Sequence, residues 1–233
     1  MIVTNRVSAV AFDIDGTLYP NSAMYRATAL LALRHLRLFR AFGEARKEVR
    51  REHHQGPPPR GALAQRTVAL TAERLGWTEE KTAGAIGTII YDRWEQTLKK
   101  VSLYPGAREL LVWLQDQGVP LGAMSDFPTE SKLRILGLEG LWDVAFSSEE
   151  TETLKPHRAP FDKLAHDLGV PAEEILYVGN SYDYDVLGAA SAGMQTAHLT
   201  RKPVVAGKAD FSFFRFSALR EWLEHRVGVS ARS

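Results

Sequence analysis

Five short apolar runs constrain the fold of this sequence more than any other feature. They are Ser8–Phe12, Val119–Met124, Val144–Phe146, Ile175–Val178 and Gln195–Leu199. Each is nearly continuous, which is typical of parallel strands that helices cover on both faces. Helical patterns lie between them, such as Ala107–Gln117 and Pro160–Leu168, and each of these ends at a glycine. The alternation predicts a doubly wound, Rossmann-like α/β fold with a parallel sheet, in which function lies at the carboxyl ends of the strands.

The segment from Pro20 to Ser102 departs from this alternation and has helical patterns throughout. They cover Met24–Phe42, Ala62–Leu75 and Glu79–Lys99. The stretch His53–Gly61 contains three consecutive prolines, which exclude a helix interior or a central strand, so we expect a loop there. We therefore expect residues 1–19 and 103–233 to form the α/β core, with residues 20–102 inserted as a helical domain.

Composition and charge restrict the class of partner. The formal net charge of +1 argues against a nucleic acid or a membrane recognised by global charge. The absence of cysteine excludes a disulfide framework, a thiolate nucleophile and a zinc–thiolate site. The amino-terminal residues lack the pattern of a signal peptide, and we expect a soluble, cytoplasmic protein. The oligomeric state is not readable from these features.

Four polar stretches follow predicted strands or begin the helices after them. The first contains Asp13 and Asp15, whose side chains point the same way in an extended chain, followed by Gly16, which permits a sharp turn. Such a carboxylate pair can divide the work of nucleophile or metal ligand and acid/base. The others are Ser125-Asp126, Lys155-Pro156 and Gly179 to Asp185. Each stretch alone is a weak signal, but their order around one sheet predicts a single site.

In this order, the four stretches resemble the four sequence motifs of the haloacid dehalogenase (HAD) superfamily across essentially the whole chain. Most of that family are Mg²⁺-dependent phosphohydrolases that work through an aspartyl-phosphate. The resemblance implies that Asp13 is the nucleophile, and that Asp15 first protonates the leaving oxygen and then activates water. It also implies that Ser125, with backbone N–H groups around Asp126, holds the phosphoryl oxygens. Lys155 would neutralise charge on the phosphate and the nucleophile.

A Mg²⁺ ion and a helical cap are implied by the same resemblance. Asp13, the backbone carbonyl of Asp15, Asn180 and Asp185 would bind the metal, and a ligand set made only of oxygens suits Mg²⁺. The helical segment 20–102 is similar to the family's cap domain. A lid placed just after the nucleophile closes over a small substrate, which points to a small phosphorylated metabolite.

Two positions depart from the family pattern. The fourth motif usually begins Gly-Asp, and Asn180 stands in place of that aspartate. An amide oxygen still binds a hard cation, so we expect Mg²⁺ binding to be weakened but not lost. Asp185 or Asp183 would provide additional ligands. Asp183 alternatively caps the following helix. Asp126 stands where asparagine is common, and we expect its carboxylate to point out of the site.

Asp15 distinguishes the nearest alternative functions. A 2-haloacid dehalogenase of the same superfamily lacks this second aspartate, because no phosphate leaving group needs a proton. A phosphomutase keeps both aspartates, but residues Leu18–Met24 do not resemble the segment that follows in mutases. Asn180 and Asp126 also leave open a catalytically weakened protein that binds a ligand or a partner. The pattern favours the phosphatase.

Residues 26–60 are strongly basic. The basic residues are Arg26, Arg34, Arg37, Arg40, Arg46, Lys47, Arg50, Arg51 and Arg60. One hypothesis is that part of this segment, tested through Arg34, Arg37 and Arg40, recognises a second anionic group on the substrate. The alternative, which we favour, is a solvated helix face on which glutamates alternate with the basic residues at helical spacing.

Overall fold

One parallel sheet organises the part of the chain that the structure describes. The structure is a computed structural model that describes residues 6–52, 59–201 and 207–227. Its strands are β1 (Ala9–Asp13), β2 (Leu121–Ser125), β3 (Val144–Ser147), β4 (Ile175–Gly179), β5 (Gln195–Leu199) and β6 (Phe211–Phe213). They lie in the order β3-β2-β1-β4-β5-β6, and every neighbouring pair is parallel. This confirms the doubly wound α/β prediction, and the strand order reverses at β1, where such sheets bind ligands.

Strand β6 is the part of the sheet that the sequence patterns do not predict. It is three residues long, too short for a periodic pattern to emerge. The strand is fixed at the sheet edge by its surroundings, because the Asp210 carboxylate accepts a 2.7 Å hydrogen bond from the backbone N–H of Thr196. The Phe213 ring lies edge-on to Phe216, with 5.6 Å between the ring centroids.

The helices and turns of helix described between β1 and β2 follow one another without an intervening strand. They are α1 (Asn21–Arg34), α2 (Leu36–Val49), α3 (Ala62–Leu75), α4 (Glu79–Ala85), a π-helical stretch (Ile86–Arg93), α5 (Trp94–Thr97) and a 3₁₀ turn (Leu98–Lys100). The expected bounds of α3 are confirmed. The proline-rich loop was expected at His53–Gly61, and residues 53–58 of it lie outside the described residues.

The helical pattern over Met24–Phe42 is confirmed, but two helices carry it, because the chain breaks at His35. That residue has φ −125° and ψ 32°, outside the helical region. Apolar spacing continues through the break, but it does not mark one buried face: Leu30 is 75% exposed, whereas Phe42 in α2 is buried. The expected helix Glu79–Lys99 is likewise divided into the shorter segments given above.

The remaining helices pack on the two faces of the sheet. They are α6 (Ala107–Asp116), α7 (Glu130–Ile135), α8 (Arg158–Leu168), α9 (Leu187–Ser191) and α10 (Phe216–Glu224). Because side chains alternate along a strand, β1 supplies both apolar layers. Val10 and Phe12 pack with one buried cluster, and Ala9 and Ala11 pack with the other. No helix in the described residues is both long and apolar enough to cross a membrane.

The inserted helices contact the sheet domain beside the carboxyl ends of the strands. Phe127, which follows β2, lies among the rings of Phe42 and Tyr91, with centroid distances of 6.4 and 6.3 Å. From α2, Arg46 donates to the Glu149 carboxylate and to the backbone carbonyl of Asp126. Helix α2 is therefore anchored at the edge of the sheet where the polar stretches were expected to meet.

Candidate active site

Asp13 and Asp15 stand at the end of the central strand β1. The chain turns directly after them, with the N–H groups of Thr17 and Leu18 both bonded to the carbonyl of Ile14. Gly16 has φ +91°, a left-handed conformation that side chains rarely adopt. The Asp13 carboxylate is buried, while the Asp15 side chain is 18% exposed. The turn thus presents two carboxylates at one edge of the sheet.

Lys155 joins the first polar stretch to the fourth. Its Nζ atom lies 2.6 Å from Asp13 Oδ1 and 2.6 Å from Asp185 Oδ1, and 3.3 Å from the hydroxyl of Tyr177. The lysine is 3% exposed. Two carboxylates around one buried ammonium satisfy its charge, and they hold the pKa of Lys155 well above its ordinary value despite burial.

Burial gives Asp13 an unusual affinity for protons in the metal-free protein. Loss of solvent is the largest cause, and the neighbouring Asp185 adds to it, while Lys155 opposes both. The pKa of Asp13 rises from 3.8 to about 7. A further cation beside Asp13 would favour the carboxylate that a nucleophile requires.

Asp15 accepts hydrogen bonds from three side chains. Ser125 Oγ and Lys132 Nζ each lie 2.6 Å from Asp15 Oδ2, and the Tyr19 hydroxyl donates to Oδ1. Burial alone would raise the pKa of Asp15, but Lys132 and these hydrogen bonds lower it below its ordinary value. The structure therefore brings Ser125 next to Asp15, as the sequence pattern predicts. It also brings Lys132 and Tyr19 there, which the pattern does not predict.

Lys132 and Tyr19 have weak signals in the sequence. Lys132 lies seven residues after Ser125, in α7, directly before the buried Leu133. A lysine is rarely buried at such a position unless it is paired with an oppositely charged group. Tyr19 lies four residues after Asp15 and is completely buried.

The expectation that the Asp126 carboxylate points out of the site is wrong. Asp126 is 8% exposed. Its Oδ1 accepts hydrogen bonds from Ser148 Oγ at 2.6 Å and from the backbone N–H of Lys155 at 3.2 Å. Its Oδ2 lies 2.5 Å from Arg50 Nη2. Burial raises the pKa of Asp126, but Lys155, Arg50 and Arg46 together lower it to about 2, so the residue is an anion bound by cations.

The fourth stretch contributes one buried carboxylate and one amide. Asp185 is 1% exposed, and its Oδ2 accepts a 2.9 Å hydrogen bond from the backbone N–H of Ser181. Asn180 Oδ1 lies 3.2 Å from Thr17 Oγ1, which in turn donates to Asp13 Oδ2 at 2.7 Å. The residue that caps the following π-helical turn is Ser181, so the capping role considered for Asp183 is wrong. Asp183 itself is exposed.

The oxygen atoms near Thr17 are of the type that Mg²⁺ prefers. The carboxylate of Asp13 and the amide oxygen of Asn180 both lie within 3.2 Å of the Thr17 hydroxyl oxygen, and the backbone carbonyl of Asp15 is a third oxygen ligand on the same turn. No group of three or more His, Cys, Asp or Glu side chains suited to a metal is found among the described residues. The donor set fits Mg²⁺ if backbone and amide oxygens are counted as ligands.

A cavity of about 140 Å³ lies beside several of these groups, and Ser125 and Lys132 are not among the residues that line it. It is lined by Asp13, Asp15, Arg50, Asp126, Phe127, Lys155, Asn180, Ser181, Tyr184 and Asp185. Among these lining residues, Arg50 comes from the carboxyl end of α2. Its guanidinium lies 4.7 Å from the centroid of the Tyr184 ring. Arg34, Arg37 and Arg40 are exposed, as the solvated-face interpretation predicts, but this interpretation is wrong for Arg46 and Arg50.

The chain matches the family model of haloacid dehalogenase-like hydrolases over residues 7–193. It is 31% identical over 201 residues to a glyceraldehyde 3-phosphate phosphatase of Methanopyrus kandleri, with 84% of each chain covered. It is 29% identical to a ribulose-1,5-bisphosphate 5-phosphatase of Halopiger xanaduensis, covering 81% of this chain and 83% of the relative. It is 28% identical to a phosphoglycolate phosphatase of Yersinia pestis, with 86% of this chain and 84% of the relative covered.

Solved structures share the fold. A HAD phosphatase from Thermococcus onnurineus superposes with a TM-score of 0.63 at 23% identity, covering 95% of this chain and all of the other. A 2-haloacid dehalogenase from Pseudomonas syringae superposes with a TM-score of 0.68 at 22% identity, covering 94% and 99%. Because both identities are low, these likenesses establish the fold and leave the reaction to the residues of the site.

Proposed function

The chain belongs to the haloacid dehalogenase-like hydrolases, and from this membership we propose that it acts on a small phosphorylated metabolite in the cytoplasm, through an aspartyl-phosphate and with Mg²⁺. Its relatives are phosphatases, and the enzyme is a phosphoric monoester hydrolase. The observation that carries the finer proposal is the convergence of Asp13, Asp15, Ser125 and Lys155 at one edge of the sheet. A dehalogenase has no need of Asp15.

The reaction has two halves. In the first, a carboxylate oxygen of Asp13 attacks phosphorus, the ester P–O bond breaks, and the leaving oxygen takes a proton from Asp15. In the second, water attacks the phosphorus of the acyl phosphate, Asp15 accepts the proton of the water, and Asp13 is released with inorganic phosphate. The sum is hydrolysis of one phosphoester bond by one water molecule.

Positive charge around the cavity makes the attack possible. A phosphate dianion is repelled by the Asp13 carboxylate, and Lys155 lies 2.6 Å from that carboxylate to compensate. Ser125 Oγ accepts a 3.1 Å hydrogen bond from the backbone N–H of Phe127, and its own hydrogen would be donated to a phosphoryl oxygen. Asp13, Asn180, the carbonyl of Asp15 and Asp185 would hold Mg²⁺, either directly or through water. A bound Mg²⁺ supplies further neutralisation of phosphoryl charge.

The division of the chain is part of the proposal. We assign residues 1–19 and 103–233 to the catalytic core and residues 20–102 to a cap. Support comes from the position of α2, because Arg50 at its carboxyl end reaches the cavity that contains Asp13. The cavity is small, about 140 Å³, which favours a small metabolite over a phosphoprotein.

Hydrolysis of p-nitrophenyl phosphate with Mg²⁺ tests the activity, with Asp13→Asn as the matched variant. We expect turnover that Asp13→Asn abolishes. Mass spectrometry of an acid-quenched reaction should find a phosphoryl group on the peptide that contains Asp13. A panel of phosphorylated metabolites then identifies the substrate. No Asp13-dependent turnover on any phosphoester would reject this proposal and favour a protein that only binds a ligand or partner.

A further inference from the structure

A second buried lysine stands in the site beside Lys155. Lys132, on α7, is 2% exposed, and its Nζ atom lies 2.6 Å from Asp15 Oδ2 and 3.0 Å from Ser125 Oγ. None of the four polar stretches contains it. Each of the two groups that it contacts has a role in the proposed reaction: Asp15 lies two residues after β1, and Ser125 is the last residue of β2.

Packing alone does not account for a lysine here. Burying an ammonium costs several kcal/mol unless partners restore the lost hydration. The next residue of the helix, Leu133, and Leu136 just beyond its end are apolar and buried, so hydrophobic packing in this part of the chain does not itself require a lysine. Its charge is compensated by the carboxylate of Asp15, with the face of the Phe127 ring 5.5 Å away.

The direction of the hydrogen bonds follows from the chemistry of the ammonium group. An ammonium has three donors and no acceptor, so Ser125 Oγ must accept from Lys132. The hydroxyl hydrogen of Ser125 is then directed to Asp15 Oδ2, 2.6 Å away. When Ser125 turns that hydrogen to a phosphoryl oxygen, Asp15 Oδ2 still has Lys132 as a partner.

Asp15 needs such a partner because its terminal torsion is soft. Rotation of a carboxyl group about the bond to Cβ has broad minima, so its orientation is set by its hydrogen bonds. Tyr19 fixes Oδ1, while Ser125 and Lys132 fix Oδ2. Without Lys132, engagement of Ser125 by the substrate would leave Oδ2 with no partner among these groups.

We propose that Lys132 is a positioning residue of the hydrolysis reaction, holding Asp15 in place while Ser125 binds the phosphoryl group. This inference rests on the proposed function. It assigns Lys155 and Lys132 to different carboxylates: Lys155 compensates the nucleophile, and Lys132 orients the acid/base.

The test compares Lys132→Met with Lys163→Met, in which the replaced lysine lies on α8 and pairs with Asp167. We expect kcat of Lys132→Met for an alkyl phosphate to fall by about 100-fold, the size of effect that a misplaced reacting group produces, with a much smaller change in KM. Lys163→Met should behave as wild type. Thermal unfolding of the wild type and both variants checks that Lys132→Met is folded. If it is not, Lys132→Gln, which keeps a donor without the charge, takes its place with the same expected direction.

Chemical rescue separates positioning from a structural role. In Lys132→Ala, added ethylammonium should restore kcat in a saturable manner without changing the melting temperature. Normal kcat in Lys132→Met, or no rescue of Lys132→Ala, would overturn this inference while the proposed function stands. Absence of Asp13-dependent turnover in the wild type would overturn the proposed function as well.

Discussion

Arg50, at the end of α2, donates to the buried carboxylate of Asp126 with 2.5 Å between Nη2 and Oδ2. The same guanidinium donates through Nε to the backbone carbonyl of Lys155 at 3.1 Å. One side chain of the inserted helices thus contacts the second and the third polar stretches of the site. Asp126 is explained by this pairing, because its carboxylate binds an arginine rather than a phosphate.

Removal of Arg50 should destabilise the protein. Arg50→Met removes the ion-pair partner of Asp126 and leaves its carboxylate with hydrogen bonds from Ser148 and a backbone N–H, and breaking a buried ion pair from one side costs about 3 kcal/mol. Urea unfolding measures the free energy. Arg37→Met, at an exposed position of the same helix, should change it by less than about 0.5 kcal/mol. Adding Asp126→Asn to Arg50→Met should recover part of the loss, and no recovery would contradict the assignment.

The raised pKa of Asp13 predicts how stability depends on pH without metal. Burial and Asp185 raise this pKa from 3.8 to about 7, so the folded protein holds a proton that the unfolded chain releases. The stabilisation is complete below the unfolded pKa and is lost as the pH rises through the folded one. In EDTA, the free energy of unfolding should therefore decrease between about pH 4 and pH 7, by at most about 1.4 kcal/mol per pH unit.

Asp13→Asn is the control for this pH dependence. An amide does not titrate, so the variant should lose that part of the slope while other groups keep theirs. Denaturant unfolding at a series of pH values provides the comparison. An identical slope in both proteins would show that a different group takes up the proton.

Restoring a carboxylate at position 180 should strengthen metal binding. Asn180→Asp adds a negative charge among the oxygen donors near Thr17, and we expect the half-saturating Mg²⁺ concentration for activity to fall by about tenfold. Asp183→Asn removes an exposed carboxylate outside the cavity and should leave that concentration unchanged. Equal half-saturation in wild type and Asn180→Asp would refute a role for residue 180 in binding the ion.

Gly16→Ala should impair the site through two separate causes. The φ of +91° is strained for alanine, and a Cβ atom at this position would lie 2.5 Å from Nδ2 of Asn180 and 2.5 Å from Nδ2 of Asn21. Asn180 must move, so we expect weaker Mg²⁺ activation together with a loss of stability of about 1–3 kcal/mol. Gly84→Ala, in a helix with open space around the added methyl, is the matched control and should be neutral or slightly stabilising.

The sequence allowed Asp13, Asp15, Ser125 and Lys155 to be predicted together because each follows a strand or begins the next helix, and parallel strands end at one edge. Periodicity also places the five longer strands. Burial of Asp126 could not be predicted, since its partner Arg50 is 76 residues distant in the chain and meets it only after α2 has packed. Lys132 and Tyr19 were missed for a similar reason. Their contacts with Asp15 depend on the geometry of the helix and the turn, and no local sequence pattern predicts which residue a side chain will contact.

The arginines of α2 have a consequence for how a substrate enters. Arg46 donates to the carbonyl of Asp126, and Arg50 donates to its carboxylate and to the carbonyl of Lys155. Any separation of the inserted helices from the sheet therefore loosens Asp126, which directly follows Ser125, and Lys155. If the inserted helices act as a cap, opening them to admit a substrate would break these three hydrogen bonds, and closing them would restore all three.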